Sequence, residues 1–372
     1  MALRLHLAEG VGAILFKRLI GHFGDLERAA RASAPELRRV EGIGERTAEA
    51  IAAVDEAAVD EELALTEKHG AAVLCLEDAA YPPALKNIPD PPPVLYVLGE
   101  LVPGDAVCLA VVGSRRCTHY GLEQAERFGG LLARAGFTIV SGGARGIDVA
   151  AHRGALEAGG RTIAVMGCGL CELYPPENAP LLRQIAAGRG AVISELPMRT
   201  AVLAGNFPNR NRIISGVSLG VLVVEAALRS GSLITARLAI EQGKEVFAVP
   251  GRVDSPFSQG THNLIARGEA TLTQNIDSVL DQLGRVGEVL KAQGGGEAAE
   301  RVDRGPAPEL SATERAVLAQ LREGELGLDE LIRRAGLPSH QVTATMTLLA
   351  IKGLIVQRPG GVFAAKGGRT SK

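Results

Sequence analysis

Between residues 106 and 285 six short runs are apolar along their whole length: Val107–Gly113, Phe137–Gly142, Thr162–Gly167, Ala191–Glu195, Val221–Ala226 and Glu245–Gly251. A sheet with one wet face would show alternating polarity. Uniformly apolar runs mark strands covered on both faces, as in parallel sheets. Helical stretches of about a dozen residues separate the runs, so they read as βαβ units with right-handed crossovers. The predicted fold class is α/β, a doubly wound open sheet.

Composition fits such a core. Hydrophobic residues make up 46% of the chain, aromatics only 3%, and Trp is absent, so Ala, Val, Leu and Ile must fill the interior. The 46 glycines suit many tight turns. A chain of 372 residues is long for one domain, since most run to roughly 100–150 residues. Residues 1–80 show Leu, Ile and Ala at helical spacing without strand-like alternation and are expected to form an N-terminal helical domain. Pro82-Pro83 and Pro91-Pro92-Pro93 punctuate a rigid connector at the start of the sheet domain, 81–290. Residues 291–309 read as a flexible linker. In the tail, 310–372, Thr313–Glu323, Gly327–Gly336 and His340–Gly353 look helical, and 354–365 looks like a hairpin turning at Pro359-Gly360-Gly361. Three helices and a small hairpin give a winged-helix pattern.

The start, MALRLHLAEG, holds no apolar run of signal-peptide length, and nothing approaches the roughly 18 residues of a membrane span. Five cysteines, an odd number, argue for a reducing cytoplasm over a disulfide framework. The formal net charge of −2 exerts no global pull on nucleic acid, so an anion site must be a local patch.

In an open α/β sheet, ligands bind outside the carboxyl ends of the strands. The residues there are Gly113-Ser114-Arg115-Arg116, Ser141-Gly142-Gly143-Ala144-Arg145-Gly146, Gly167-Cys168-Gly169, Ser230-Gly231-Ser232 and Pro250-Gly251-Arg252. Glycine lets a backbone approach an anion, and arginine offers a bidentate fork to phosphate oxygens. One such turn is ordinary turn geometry, but four combining Gly with Ser or Arg suggest a crest built for phosphates. Neither G-x-G-x-x-G nor G-x-x-x-x-G-K-[ST] occurs, which speaks against dinucleotide chemistry and P-loop hydrolysis. Cys168 and Cys171 have C-x-x-C spacing but no second pair for zinc, so a structural role is preferred to metal or redox chemistry. His152, four residues after Asp148 on a helix, suits a structural hydrogen bond better than acid–base work. Glu225 ends a strand with no nucleophile–base set beside it.

The stretch NFPNRNRIISG, 206–216, puts Arg210 and Arg212 just before a buried strand. With Asn209 as N-cap, the two would project about 200° apart on a helix. Arg212, beside Ile213-Ile214, is expected to turn inward and pair with Glu195 or Glu225. Arg210 is expected to meet phosphate.

The ordered set VVGSRRCTHYG (111–121), IVSGGARGIDVAAH (139–152), TIAVMGCGLCELYPPEN (162–178), ISELP (193–197), NFPNRNRIISG (206–216), VVEAALRSGSLITA (223–236) and GKEVFAVPG (243–251) closely resembles the DNA-processing protein A (DprA/Smf) family. The likeness extends to YPPALKNIPDPPPVLYVLG (81–99) and to Gly260–Ile265. It implies an extended Rossmann-like domain that binds single-stranded DNA, dimerises, and helps load the RecA recombinase during natural transformation. The family's Gly-Ser-Arg turn falls on Gly113, Ser114 and Arg115, and its basic residue before the VFAVPG strand falls on Lys244. Pro176 stands where some members carry lysine, Gly143 where Leu or Met is common, and Cys171 where Asp is common. Glu9-Gly-Val-Gly12 and Glu41-Gly-Ile-Gly44 resemble the turns of a tandem helix-hairpin-helix. Within the family such a region is also described as sterile-alpha-motif-like, so DNA contact and packing both remain open for it.

The expected DNA- and phosphate-binding set is Gly113, Ser114, Arg115, Ser141, Gly142, Gly169, Tyr174, Asn206, Phe207, Arg210, Asn211, Arg212, Ser230, Gly231, Ser232 and Lys244, with Phe207 and Tyr174 as stacking surfaces. No catalytic residue, metal or cofactor is expected. The expected partners are single-stranded DNA, RecA and a second copy of the chain, with weak duplex contact by either terminal domain and no membrane. The alternative is a nucleotide enzyme resembling nucleoside-monophosphate phosphoribohydrolases, although their Pro-Gly-Gly-x-Gly-Thr loop is here only Pro250-Gly-Arg-Val. A sequence-specific duplex reader in the tail is a third reading.

Overall fold

The computed structural model describes residues 1–295, 310–352, 354–358 and 362–365. The chain divides into two compact units, Met1–Asp303 and Arg304–Lys372.

All six expected strands are present in the first unit: β3 (Cys108–Val112), β4 (Thr138–Ser141), β5 (Thr162–Val165), β6 (Gly190–Ser194), β7 (Gly220–Val223) and β8 (Glu245–Ala248). Three more extend the sheet, β1 (Ala71–Cys75), β2 (Val94–Gly99) and β9 (Thr271–Leu272). The order is β1-β2-β6-β5-β4-β3-β7-β8-β9. From β6 to β9 every pairing is parallel, whereas β2 runs antiparallel to both β6 and β1. The mixed edge corrects the expectation that residues 1–80 are wholly helical, since helix Glu56–Lys68 leads straight into β1.

Both faces of the sheet are covered, as uniform apolarity requires. On β3, Leu109 and Val111 enter one core with Phe128, Ala151 and Ile147, while Cys108, Ala110 and Val112 enter the other with Ile213, Ile214 and Ala236. Helices His119–Arg134 and Ile147–Glu157 supply the first side. Asn206–Val217 and Ser232–Glu241 supply the second. A third cluster joins Leu5, Leu19, Leu37 and Ile51 of the N-terminal helices to Tyr96, Met166 and Val192 of the sheet region.

Helix Asn206–Val217 begins four residues earlier than an Asn209 cap would have it, with Gly205 as N-cap. Pro208 falls in its first turn, where a missing N–H leaves no intrahelical bond unmade. Helix Gly284–Ala292 runs into the expected linker, and 296–309 lie outside the described residues.

The second unit holds helices Ala312–Glu323, Leu328–Ala335 and Ser339–Ile351, with strands β10 (Leu326–Gly327), β11 (Ile355–Arg358) and β12 (Val362–Ala365) in the order β10-β12-β11. Val317, Leu321, Leu331, Val342 and Leu349 form its core. The expected turn at 359–361 lies outside the described residues. Among the described residues no helix is long and apolar enough to cross a membrane.

Candidate nucleic-acid interface

Strand order reverses direction between β3 and β7, which puts the switch point of the sheet between their carboxyl ends. A cleft of about 800 Å³ opens there. The turn after β3 contributes Gly113 to Arg116 and the turn after β7 contributes Ala227 and Arg229 to Ser232, while helix Asn206–Val217 presents Phe207, Arg210 and Asn211. Four arginines line the cleft, Arg115, Arg116, Arg210 and Arg229, against one carboxylate, Asp148. A protein with a net charge of −2 thus concentrates positive charge at one place.

The rim arginines are uncommitted. Arg115, Arg116 and Arg229 are exposed, and among the described residues none forms an ion pair. Nearby Arg145 and Arg252 are instead neutralised by Glu177 and Asp254. Arg115 lies over the Phe207 ring with its guanidinium carbon 5.0 Å from the centroid. Tyr174 meets Phe207 at a tilt of 47° and a centroid distance of 6.0 Å. Cation and aromatic faces therefore sit side by side, the combination that holds phosphates and stacks bases on single strands.

The turn after β3 is held rigidly. The Ser114 N–H donates to Glu225 O at 2.7 Å, and its hydroxyl donates to Arg116 O at 2.6 Å. That hydroxyl closes the turn rather than facing a phosphate. The Glu225 carboxylate, 2% exposed, accepts from both the N–H and the hydroxyl of Thr118, the N-cap of helix His119–Arg134. It pairs with a helix start, not with an arginine. Across the cleft the Ser230 and Ser232 hydroxyls share one bond of 2.8 Å, which leaves one of their two protons to donate. Helix Ser232–Glu241 starts here without a side-chain cap, its positive dipole end at the cleft.

Arg210 forms the floor. It is 4% exposed, and its Nη1 donates to Gly142 O at 2.8 Å and also to Val165 O. Burial lowers its pKa to about 10, with the Asp148 charge opposing the shift. The Asp148 carboxyl accepts the Gly142 N–H at 3.1 Å and the Ala144 N–H at 3.3 Å, and burial raises its pKa against the pull of Arg210. Arg210 is therefore a buried cation bonded to carbonyl oxygens, not the exposed phosphate ligand expected from sequence. Its charge strengthens the field of the cleft from below.

Arg212 turns inward, as its place beside Ile213-Ile214 implied. Nη1 and Nη2 bind the two Glu195 oxygens at 2.8 and 2.6 Å, and Nε binds Asp90 at 2.8 Å. It is a structural ion pair, so its place in the binding set is corrected. Asn206 lines the adjoining cavity of about 330 Å³ with Arg212, not the cleft. Ser141 is fully buried with its hydroxyl on Val111 O. Gly169 packs beneath a loop, where an added Cβ would lie 2.2 Å from Met198 O, and its N–H donates to Thr200 O. Gly142 spends its N–H on Asp148 but borders the small depression beside Arg115 and Phe207. Lys244 directly precedes β8, at the amino edge of a parallel sheet, where its charge acts on Cys108 at the start of β3. It does not line the cleft.

The cleft gathers Gly113, Ser114, Arg115, Tyr174, Phe207, Arg210, Asn211, Ser230, Gly231 and Ser232 from the expected set. Arg116, Arg229 and Phe257 were not in it. The first two sit directly beside glycine–serine turns, a signal that could have found them. Cys168 and Cys171 both have raised thiol pKa values, chiefly from burial, the reverse of a reactive pair. His152 is fully buried with Nδ1 2.7 Å from the Thr162 hydroxyl, which itself donates to Ile139 O. Nδ1 must then carry the proton.

A family profile described as DNA recombination-mediator protein A matches residues 72–284, and one described as the DprA winged helix domain matches 302–361. The protein Smf of Synechocystis sp. is 38% identical over 386 residues, covering 95% of each chain. The X-ray structure of DNA processing protein A from Streptococcus pneumoniae superposes with a TM-score of 0.66 at 35% identity, covering 75% of this chain and 95% of that one. DNA processing protein A from Helicobacter pylori, solved for its single-stranded DNA binding mode, gives a TM-score of 0.52 at 34% identity over 57% of this chain and 95% of that one. With its sheet and its tail both matched in this way, the chain belongs to the DNA recombination-mediator protein A (DprA/Smf) family.

Proposed function

We propose that this protein binds single-stranded DNA in the cleft between β3 and β7 and acts as a cytoplasmic homodimer that delivers the strand to RecA during natural transformation, without chemical turnover. The observation that carries the reading is the cleft's imbalance, four arginines against one carboxylate beside the Phe207–Tyr174 pair. Among the described residues three of those arginines have no carboxylate partner, so a phosphodiester backbone supplies the missing anions. The Helicobacter pylori relative, described for its single-stranded DNA binding mode, supports the same assignment.

The non-enzymatic part of the proposal rests on how the nearby ionisable groups are occupied. Asp148 holds two backbone N–H groups, Glu225 holds Thr118, and His152 is sealed in the core. A general acid or base must reach a reacting atom.

Titration of labelled oligothymidylate by fluorescence anisotropy tests the binding. The wild type binds, and Arg115→Ala and Arg229→Ala each weaken binding about tenfold, a typical loss for one charged contact. Equal affinity in all three proteins rejects the cleft. Release of free base from nucleoside monophosphates would replace the binder by an enzyme.

A further inference from the structure

One wall of the cleft comes from a strap, residues 196–205, that connects β6 to helix Asn206–Val217. Its second half, Ala201 to Gly205, is exposed at every residue, and Val202 and Ala204 line the cleft. Such a segment has little core of its own to fix it. Its first half is fixed from outside. The Cys171 N–H donates to Met198 O at 3.1 Å, and the Gly169 N–H donates to Thr200 O at 2.9 Å.

The Met198 N–H is held differently, by a side chain from 136 positions away: it donates to Glu62 Oε1 at 2.7 Å. Glu62 belongs to helix Glu56–Lys68 of the N-terminal segment and is 9% exposed. One residue earlier on the same helix, Glu61 pairs with Arg199 on the surface. Adjacent helix positions point about 100° apart, so one carboxylate grips the strap from beneath while the other grips it from outside. Burying a carboxylate at a helix–sheet contact is unfavourable where Leu or Met would fit, unless its hydrogen bond does something an apolar side chain cannot. Tyr96 and Cys171 lie close enough to feel this carboxylate: burial first, and then the Glu62 charge, raises both their pKa values.

We propose that Glu62 is a positioning residue for the cleft: through the Met198 N–H the N-terminal helices set the strap, and through the strap they set Val202, Ala204 and the start of the helix that carries Phe207. This rests on the single-strand binding reading and extends it, because it makes affinity in the sheet depend on a hydrogen bond from another part of the chain.

The test uses the full-length chain with Glu62→Met, which keeps the volume and removes the acceptor, and Glu62→Gln, whose amide oxygen still accepts the N–H. Oligothymidylate affinity and hydrogen exchange at residues 197–205 are measured on each. Glu62→Met exchanges faster across the strap and binds about tenfold more weakly, while Glu62→Gln restores both. A loss of packing alone would not be rescued by glutamine. If Glu62→Met does not fold, Glu62→Asp, one methylene short of Met198, takes its place with the same expectation. A wild type that binds with a folded Glu62→Met or Glu62→Asp that binds equally overturns the positioning role alone. A wild type that binds no oligonucleotide overturns the binding reading and this inference with it.

Discussion

The guanidinium of Arg115 lies over the ring of Phe207, 5.0 Å from carbon to centroid, with Arg210 at 6.0 Å from the same ring. The ring and the two guanidinium groups are thereby gathered before any ligand arrives. A base stacking on Phe207 would place its backbone beside a cation that forms no ion pair among the described residues.

Phe207→Ala removes the stacking face and one wall of the Arg115 contact. Oligonucleotide binding weakens by about 1–3 kcal/mol, the worth of one stacked base, while Phe207→Tyr retains most of it. Anisotropy titrations at fixed salt measure the difference.

Arg212→Ala leaves the Glu195 carboxylate, 15% exposed, without its bidentate partner. Losing half of a buried ion pair costs roughly 3–5 kcal/mol of stability, read by chemical denaturation. The double variant Arg212→Met, Glu195→Leu recovers a large part of it, since the buried carboxylate goes with its partner and Asp90, the other carboxylate on Arg212, is 34% exposed and stays hydrated.

Gly121→Ala would set a Cβ 2.3 Å from Glu225 Oε2. The carboxylate has to leave Thr118, and the N-cap of helix His119–Arg134 loses the group that anchors it. Overpacking of this kind costs about 1–3 kcal/mol. Thermal unfolding reports it as a lower Tm.

His152 gives a pH dependence with a definite sign. Burial lowers its pKa from 6.5 to about 3, so the unfolded chain takes up a proton that the folded one refuses. Its stabilising contribution is complete above pH 6.5 and is lost as pH falls from there towards 3. At pH 5 the loss is about 2 kcal/mol, at roughly 1.4 kcal/mol per pH unit. His6, lowered by burial to about 4, adds in the same direction. Denaturation at pH 7 and pH 5 shows a smaller difference for His152→Gln than for the wild type.

The parallel strands were legible because each must be apolar on both faces, and Leu109 and Val111 do face a different core from Ala110 and Val112. Strands β1 and β2 were not. They join by a connection without the strand–helix alternation that identified the others, and β2 follows three prolines that read as a connector. Arg212 was legible from its apolar neighbours Ile213-Ile214 and from the carboxylates available to pair with it, since its partners are side chains. The burial of Arg210 was hidden because its partners are the carbonyl oxygens of Gly142 and Val165, which leave no mark on a sequence. The glycines and serines of the turns after β3 and β7 mark the crest in the sequence, and the neighbouring Arg116 and Arg229 carry its charge. Lys244 was placed by resemblance, although a residue just before a parallel strand belongs to the edge opposite the crest.

The central claim, that uncommitted arginines at the switch point hold a DNA backbone, is tested most directly by the salt dependence of oligothymidylate binding. Log Kd against log salt concentration is linear for the wild type. Each phosphate contact contributes about 0.7 to its slope on a single strand. The Arg115→Ala, Arg116→Ala, Arg229→Ala triple variant therefore loses roughly two units of slope, while Lys244→Ala keeps the wild-type slope. An unchanged slope in the triple variant contradicts the account.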